Sequence, residues 1–501
     1  MNASASNSWT ELASLPRTPL AELIATCADR LGCFTLEVAG LYFDFSKTHL
    51  TPETLKVLAK LAESQGLAAA RDALFAGAIV NPTENRAAEH TAERGEGAAE
   101  SVAHAKALHK RMRMLIEVLD AGGFGTIKHI IHVGIGGSAL GPNLMIDALG
   151  RDDPHYNTHI VSNIDGAALA EAFKACDPHT TLLAIASKTF TTSETMRNAA
   201  SVIEWMEEAG VADPHARAVA LTAAPGKAVE WGIDESRVLP FAESVGGRYS
   251  LWSSIGFPAA ATLGWGAFEE LLEGAAEMDR HFRLTPLKAN APALASFTDL
   301  YYTQVRAAET RAVFAYDERL RLLPAYLQQL EMESNGKSVT ATGAPVSGPT
   351  APITWGGVGT DGQHAVFQLL HQGTHLVPVE FVAVSEPGHD LDEGHHIALL
   401  QNCFAQSAAL MTGRHAADGA RNYPGDRPST TILLDALTPR ALGALIAFYE
   451  HRTFVNAVLL GINPFDQFGV ELGKEMAKAL ASGGRDFDPS TEALMARAGL
   501  E

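Results

Sequence analysis

The stretch TIKHIIHVGIGGSALGPNLMIDALG, residues 126–150, decides the fold. Its first eight residues are rich in β-branched and apolar side chains, stop at a glycine cluster, and give way to helical spacing. The alternation continues down the chain. THIVSNI (158–164) reads as a strand, GAALAEAFKACD (166–177) as a helix and TTLLAIAS (180–187) as a strand. A long helix from Ser193 to about Gly210 and the strand ARAVALTA (216–223) follow. Apolar strands alternating with helices imply a parallel sheet covered on both faces.

A second series repeats the pattern. APITWGG (351–357), VPVEFVAVS (377–385) and TTILLDAL (430–437) are strand-like. Helices are expected from about Gln363 to Gln372, over HHIALLQNCFAQSAALMTG (395–413), and starting near Pro439 and Gly469. Residues 1–95 read instead as helical, with apolar side chains at three- and four-residue spacing in 20–32 and 54–77. Pro52 after Thr51 predicts a helix start with the hydroxyl as N-cap. EHTAERGEGAAESVAHA (89–105) reads as a surface helix or connection. The expected class is α/β, with two doubly wound domains, 96–265 and 266–501, preceded by the helical segment 1–95.

The chain of 501 residues carries 38 Lys plus Arg against 58 Asp plus Glu, a net charge of −20. That balance repels nucleic-acid phosphates and anionic membranes, and no run of Lys and Arg offsets it. The four cysteines show no CxxC spacing, so free thiols in a reducing compartment are expected. The N-terminus has neither a basic stretch nor an apolar core of a secretory signal. No apolar run approaches the ~18 residues of a membrane span. A cytoplasmic protein is expected.

Six segments carry chemistry. VGIGGSALGP (133–142) lies where a strand meets a helix, a position that suits anion binding. It fits neither the dinucleotide fingerprint nor a P-loop, and a tight structural turn would read the same way. SKTFTTSET (187–195) gathers hydroxyls and helix-start N–H groups beside Lys188, suited to a phosphomonoester that must bind and leave. A helix cap at Thr191 or Thr192 explains one hydroxyl, not five. Both clusters sit at the C-terminal ends of strands, where open α/β sheets bind ligands. ESVGGRYSLWSSIG (243–256) aims Arg248 from a glycine turn, although an arginine there could equally pair with a surface carboxylate.

QQLEMESNGKS (328–338) holds Glu331 and Glu333 ahead of a turn. It reads either as a helix end capped at Gly336 or as a general base held at a helix terminus. GVGTDGQHAVFQLLHQGTH (357–375) places His364 at the entry to a helix; His371 and His375 stand four apart without the glutamate of a zinc protease motif. His389, Asp390, His395 and His396 have a composition common in solvated loops, and no metal site is expected. NPFDQFGVELGKEMAK (463–478) puts Gln467, Glu471 and Lys474 at helical spacing.

Together and in this order, GIGGSALGP, SKTFTTSET, VGGRYSLWSSIG, MESNGK, GTDGQHAVFQLLHQGT and FDQFGVELGK resemble the motifs of the glucose-6-phosphate isomerase (phosphoglucose isomerase) family, as does NPTENRAAEH (81–90). The resemblance implies two flavodoxin-like sugar isomerase (SIS) domains with the N-terminal segment packed on the second. It implies reversible isomerisation of glucose 6-phosphate and fructose 6-phosphate, a step of glycolysis and gluconeogenesis, through a cis-enediol(ate). Gly137, Ser138, Ser187, Lys188, Thr189 and Thr192 match the phosphate cradle, Lys188 mainly through its backbone. Glu333 matches the base that moves a proton between C2 and C1, and Arg248 the group that stabilises the enediolate. His364 and Lys474 match the ring-opening groups, and Gln329 and Gln467 match sugar contacts. The resemblance also implies a homodimer, with His364 reaching the site across the interface, and no metal or cofactor. A bifunctional phosphoglucose/phosphomannose isomerase and a non-catalytic SIS-domain regulator stay open. Ala139 stands where the family usually has Asp, and Asp361 where Asn is typical.

Overall fold

The structure, a computed structural model, describes residues 3–482 and 487–500. Its eleven strands among those residues are β1 (Thr35–Val38), β2 (Leu41–Asp44), β3 (His129–Gly134), β4 (Asn157–Val161), β5 (Thr181–Ala186), β6 (Ala218–Thr222), β7 (Val238–Pro240), β8 (Thr310–Tyr316), β9 (Ile353–Val358), β10 (Val379–Val384) and β11 (Ser429–Leu434). They form two sheets within residues 1–464. The five-stranded sheet, in the order β4-β3-β5-β6-β7, is parallel throughout. The six-stranded sheet, β1-β2-β11-β10-β8-β9, is parallel from β11 to β9. It ends in an antiparallel hairpin laid on β11.

Burial explains why the sheets were legible. Every residue of β5 and of β10 is buried, and apart from Thr181 and Glu380 every one is apolar, as expected for strands covered on both faces. β3 sits between β4 and β5 and delivers its last residue, Gly134, opposite Ala186. Both glycine- and hydroxyl-rich loops therefore leave the same end of the sheet.

The Pro439–Leu460 helix is buried almost all round. It crosses the Trp265–Leu284 helix through two glycines. A Cβ on Gly443 would lie 2.0 Å from the Leu271 carbonyl oxygen, and one on Gly274 1.8 Å from that of Arg440. Close approach of the backbones requires glycine at both positions. Each fully buried leucine or phenylalanine in this crossing contributes about 1.5–3 kcal/mol.

Thr51 accepts from the Thr54 amide and completes a capping box, as the Thr51–Pro52 signal predicts. Three expectations are corrected. Residues 1–95 are not helical throughout, because β1 and β2 fold there and extend the second sheet. β7 and β8 lie outside the expected strands, and β8 is an inner strand of its sheet. Residues 89–105 do not run over the surface: His90, Thr91, Ala92, Glu93 and Arg94 are buried before the Ala99–Asp120 helix begins. Arg94 is held by Asp279 and Glu450.

Residues 465–500 form a second unit, with a short turn at Phe468–Val470 and helices at Glu471–Ala481 and Pro489–Arg497. Gln467 precedes the first of these helices in a non-helical conformation (φ −151°, ψ 44°), so it does not share a helical face with Glu471 and Lys474. No helix among the described residues is long and apolar enough to cross a membrane.

Candidate active site

The loop after β3 turns on Gly136, whose φ of +58° lies in the left-handed region open to glycine. Gly137 follows in a short 3₁₀ turn, and a Cβ there would lie 2.0 Å from the Gly247 carbonyl. The first cradle loop thus rests backbone to backbone on the turn that carries Arg248. His132, one layer below on β3, fastens the loop by donating from Nε2 to the Ser138 carbonyl at 2.7 Å. Burial pushes this histidine down to about 4, so it stays neutral with the proton on Nε2.

The loop after β5 is held by its own hydroxyls. Ser187 Oγ and Thr192 Oγ1 are 3.1 Å apart, and Thr189 Oγ1 and Thr191 Oγ1 2.8 Å. Phe190 between them is buried at a φ of +51°. That conformation costs a non-glycine residue roughly 1–2 kcal/mol. Thr192 is the N-cap residue of the Ser193–Glu208 helix, yet its hydroxyl caps no helix N–H. Capping therefore does not explain these hydroxyls, and the sixteen-residue helix starts without a side-chain cap, the kind of terminus that suits an anion. The Lys188 ammonium turns away to donate to the Glu243 carbonyl at 2.7 Å, and burial together with Arg86 lowers its pKa. A Cβ on Gly246 would lie 2.8 Å from the Lys188 ammonium, so this loop also abuts the Arg248 turn.

Arg248 is 3% exposed, which excludes the surface-pair reading. Its Nε donates to Ser334 Oγ at 2.5 Å and its Nη2 to the Pro464 carbonyl, while Nη1 lies 3.4 Å from Glu333 Oε2. Tyr249 Oη is 3.0 Å from the same Ser334 hydroxyl. Glu333 closes a π-helical segment, Gln328–Glu333, which continues the Leu323–Leu327 helix. Such wide turns aim side chains that a regular helix would direct elsewhere. Gly336 lacks the positive φ of a helix cap, so the capped-end reading of this segment fails. From the same turn Gln329 reaches back to Gly136, where a Cβ would meet its Nε2 at 2.8 Å. Gly136, Gly137, Arg248, Glu333 and Gln329 thereby form a closed circuit built from both sheets.

Beneath Glu333 lies an ionic cluster that the sequence reading did not find. Glu331 accepts from Arg311, Arg452 and Thr354 Oγ1, the last at 2.8 Å. Arg452 also donates to Glu380 at 2.8 Å, and Arg311 to Asp299 at 2.7 Å. All are buried. Charges removed from water hold together only with good geometry, so the cluster fixes the backbone from which Glu333 projects. Ser334 was similarly missed, read only as part of a turn.

The remaining predicted residues lie elsewhere. His364 is exposed on the Gly359–Gln372 helix and lines a surface groove with Phe367, His371, Gln406, Arg414 and Tyr423. Lys474 and Gln467 belong to the 465–500 unit, and both are exposed. His371 Nε2 is 2.9 Å from Gln406 Oε1, and His396 Nε2 is 2.8 Å from the Ser385 carbonyl, so neither histidine run gathers as a metal ligand set.

A family model described as phosphoglucose isomerase matches residues 44–495. A glucose-6-phosphate isomerase of Rhizorhabdus wittichii is 69% identical over 491 residues, covering 98% of each chain. One from Zymomonas mobilis is 61% identical over 492 residues, covering 98% of this chain and 97% of that one. The crystal structure of a glucose-6-phosphate isomerase from Chlamydia trachomatis is similar with a TM-score of 0.91 at 32% identity, over 100% of this chain and 99% of that one.

Proposed function

The chain belongs to the phosphoglucose isomerase family, and from that premise we propose how its residues interconvert glucose 6-phosphate and fructose 6-phosphate. The reaction is a reversible aldose–ketose isomerisation. The phosphate binds the amides and hydroxyls of Gly137, Ser138, Ser187, Lys188, Thr189 and Thr192. His364 and Lys474 assist ring opening by giving a proton to the ring oxygen and taking one from the C1 hydroxyl. The Glu333 carboxylate then removes the C2 proton, the C–H electron pair forms the C1–C2 double bond, and the carbonyl oxygen becomes an oxyanion. Arg248 stabilises that charge, the O2 hydroxyl proton passes to O1, and protonated Glu333 returns its proton to C1, leaving the carbonyl at C2. Gln329 and Gln467 contact sugar hydroxyls. General acid–base help supplies typically about 10²–10⁴-fold, and fixed charge at the oxyanion adds a comparable factor.

The observation that carries this reading is the Arg248–Glu333 pair, held 3.4 Å apart beside two phosphate-type loops. Conversion of fructose 6-phosphate with EDTA present, by wild type and Glu333→Gln, tests it. We expect the variant to lose at least ~10³-fold in kcat while still binding the sugar phosphate. A folded variant with near-wild-type turnover would remove Glu333 from the role of base. The mannose-phosphate and regulator readings are not favoured by these relatives.

The functional form proposed is a cytoplasmic homodimer in which the partner supplies the histidine at position 364; the exposure of His364 supports this. Domain limits at 95 and 265 belong to the same proposal. Mixing inactive His364→Ala with inactive Glu333→Gln should restore about a quarter of wild-type activity, because only the mixed dimer holds one intact site. No recovery after verified subunit exchange would place the histidine in its own subunit's site.

A further inference from the structure

A second cluster of metal-type ligands lies at the opposite end of the five-stranded sheet. His129 opens β3, and His159 sits on neighbouring β4 opposite Ile131. Side chains alternate along a strand, so His129, Ile131 and His159 share one face. On that face Ile131 and Val161 join the core beneath the Gly166–Ala175 helix, and Cys176, the residue after that helix, packs against the same core. One donor atom from each of His129, His159 and Cys176 lies within 4.8 Å of the others.

We propose that His129, His159 and Cys176 form a binding site for one borderline-soft divalent transition-metal ion of the Zn²⁺ class. Two imidazoles and a thiolate are the donors such an ion selects over Mg²⁺ or Ca²⁺, which take oxygen. Tetrahedral Zn²⁺, with bonds of about 2.0–2.3 Å, holds its ligands roughly 3.3–3.6 Å apart.

A separate observation points the same way. His129 Nδ1 is buried and has no hydrogen-bond partner among the described residues, an unsatisfied polar atom that a metal bond would satisfy. The ion would bind Cys176 by displacing the thiol proton to solvent, S–H giving S–M and H⁺. Both histidines and the cysteine are half-buried, which leaves an entry path and a fourth position for water.

The site is separate from the reaction. β3 carries His129 at its first residue and Gly134 at its last, about 16 Å apart at 3.3 Å per residue. Binding therefore ties β3, β4 and the 166–175 helix together below the phosphate loops without touching them.

The test uses tag-free full-length protein stripped with EDTA and titrated with Zn²⁺ by calorimetry, then with Co²⁺ by absorption. We expect one tight equivalent per chain and a thiolate-to-cobalt charge-transfer band. Cys176→Ser should abolish the band and weaken Zn²⁺ binding at least ~100-fold, and His159→Asn should weaken it similarly. Cys33→Ser should change neither. All three variants should keep wild-type isomerase activity in EDTA, which shows that they fold. Absence of a tight equivalent in wild type would overturn the site. So would binding that survives both ligand substitutions, which would place the ion on surface histidines.

Discussion

The two sheets meet at one crevice but prepare it by different physical means. On the side of the five-stranded sheet, the groups facing the crevice are backbone amides and hydroxyls on loops after β3 and β5, and the one ammonium nearby is turned away toward Glu243. On the other side stands Glu333, over a buried cluster of two arginines and three carboxylates, and Arg248 reaches across to it from the turn after β7. A phosphate that must leave each cycle is suited by many neutral donors. A base that must meet one carbon atom is suited by rigid charge. On the proposed roles, the phosphate donors and the base rest on separate scaffolds, so binding and proton transfer should fail separately.

The largest expected effect lies in the charged scaffold. Arg452→Met leaves Glu331 and Glu380 without their shared cation and should destabilise the protein by about 3–5 kcal/mol, read from urea unfolding. Loss below ~1 kcal/mol would mean that the cluster is not what holds the Glu333 turn. Replacing the whole cluster by apolar groups could be neutral, but removing one partner strands the others.

Next comes acid sensitivity on the other side. The folded His132 pKa, about 4, lies below its unfolded value of 6.5. Its contribution to stability is therefore fully present above pH 6.5 and lost as pH falls through about 4, at most about 3 kcal/mol. Glu450 has the opposite sign: burial raises it to about 7 from 4.5, so its contribution is present below pH 4.5 and lost as pH rises through 7. His132→Gln keeps a donor for the Ser138 carbonyl without the titration. The wild-type Tm should fall more steeply than the variant's between pH 6.5 and 4, and parallel curves would remove His132 from this role.

The contrast also explains what was legible. β5 and β10 were found because both faces are buried, which fills them with apolar side chains apart from Thr181 and Glu380. β1 and β2 were missed because four-residue strands carry little pattern and owe their state to pairing with β11. β8 was missed although VFAY is strand-like, because Arg311 and the charged residues after it suggest a surface. Glu450, His451 and Arg452 are three consecutive ionisable residues, yet each is no more than 1% exposed because their helix is enclosed by its neighbours. Pairing of charges inside a core leaves no local mark in sequence. The loops after β3 and β5 were legible because clustered glycines and hydroxyls are local in sequence, whereas the circuit through Gly136, Gly247, Glu333 and Gln329 exists only once both sheets are folded.

Where the two scaffolds touch, one atom should matter. Gly137→Ala places a methyl 2.0 Å from the Gly247 carbonyl, so the phosphate loop and the Arg248 turn must part. A displacement of about 1 Å is enough to lower kcat/KM by roughly 10²-fold, with both binding and turnover affected. An effect on KM alone would show that the loops adjust independently.

The smallest effect tests whether the cradle is redundant. Thr189 is exposed, and its hydroxyl is spaced 2.8 Å from that of Thr191, with no charge of its own to strand. Removing it deletes one donor to a phosphate that keeps its helix-start amides, so Thr189→Ala should raise KM by about 10-fold, or ~1.4 kcal/mol. Because the phosphate lies away from the reacting carbons, ground state and transition state lose the same contact and kcat should change less than ~3-fold. A kcat loss equal to the KM effect would mean that the phosphate loop also helps aim C1 and C2 at Glu333, joining the two scaffolds that the structure builds apart.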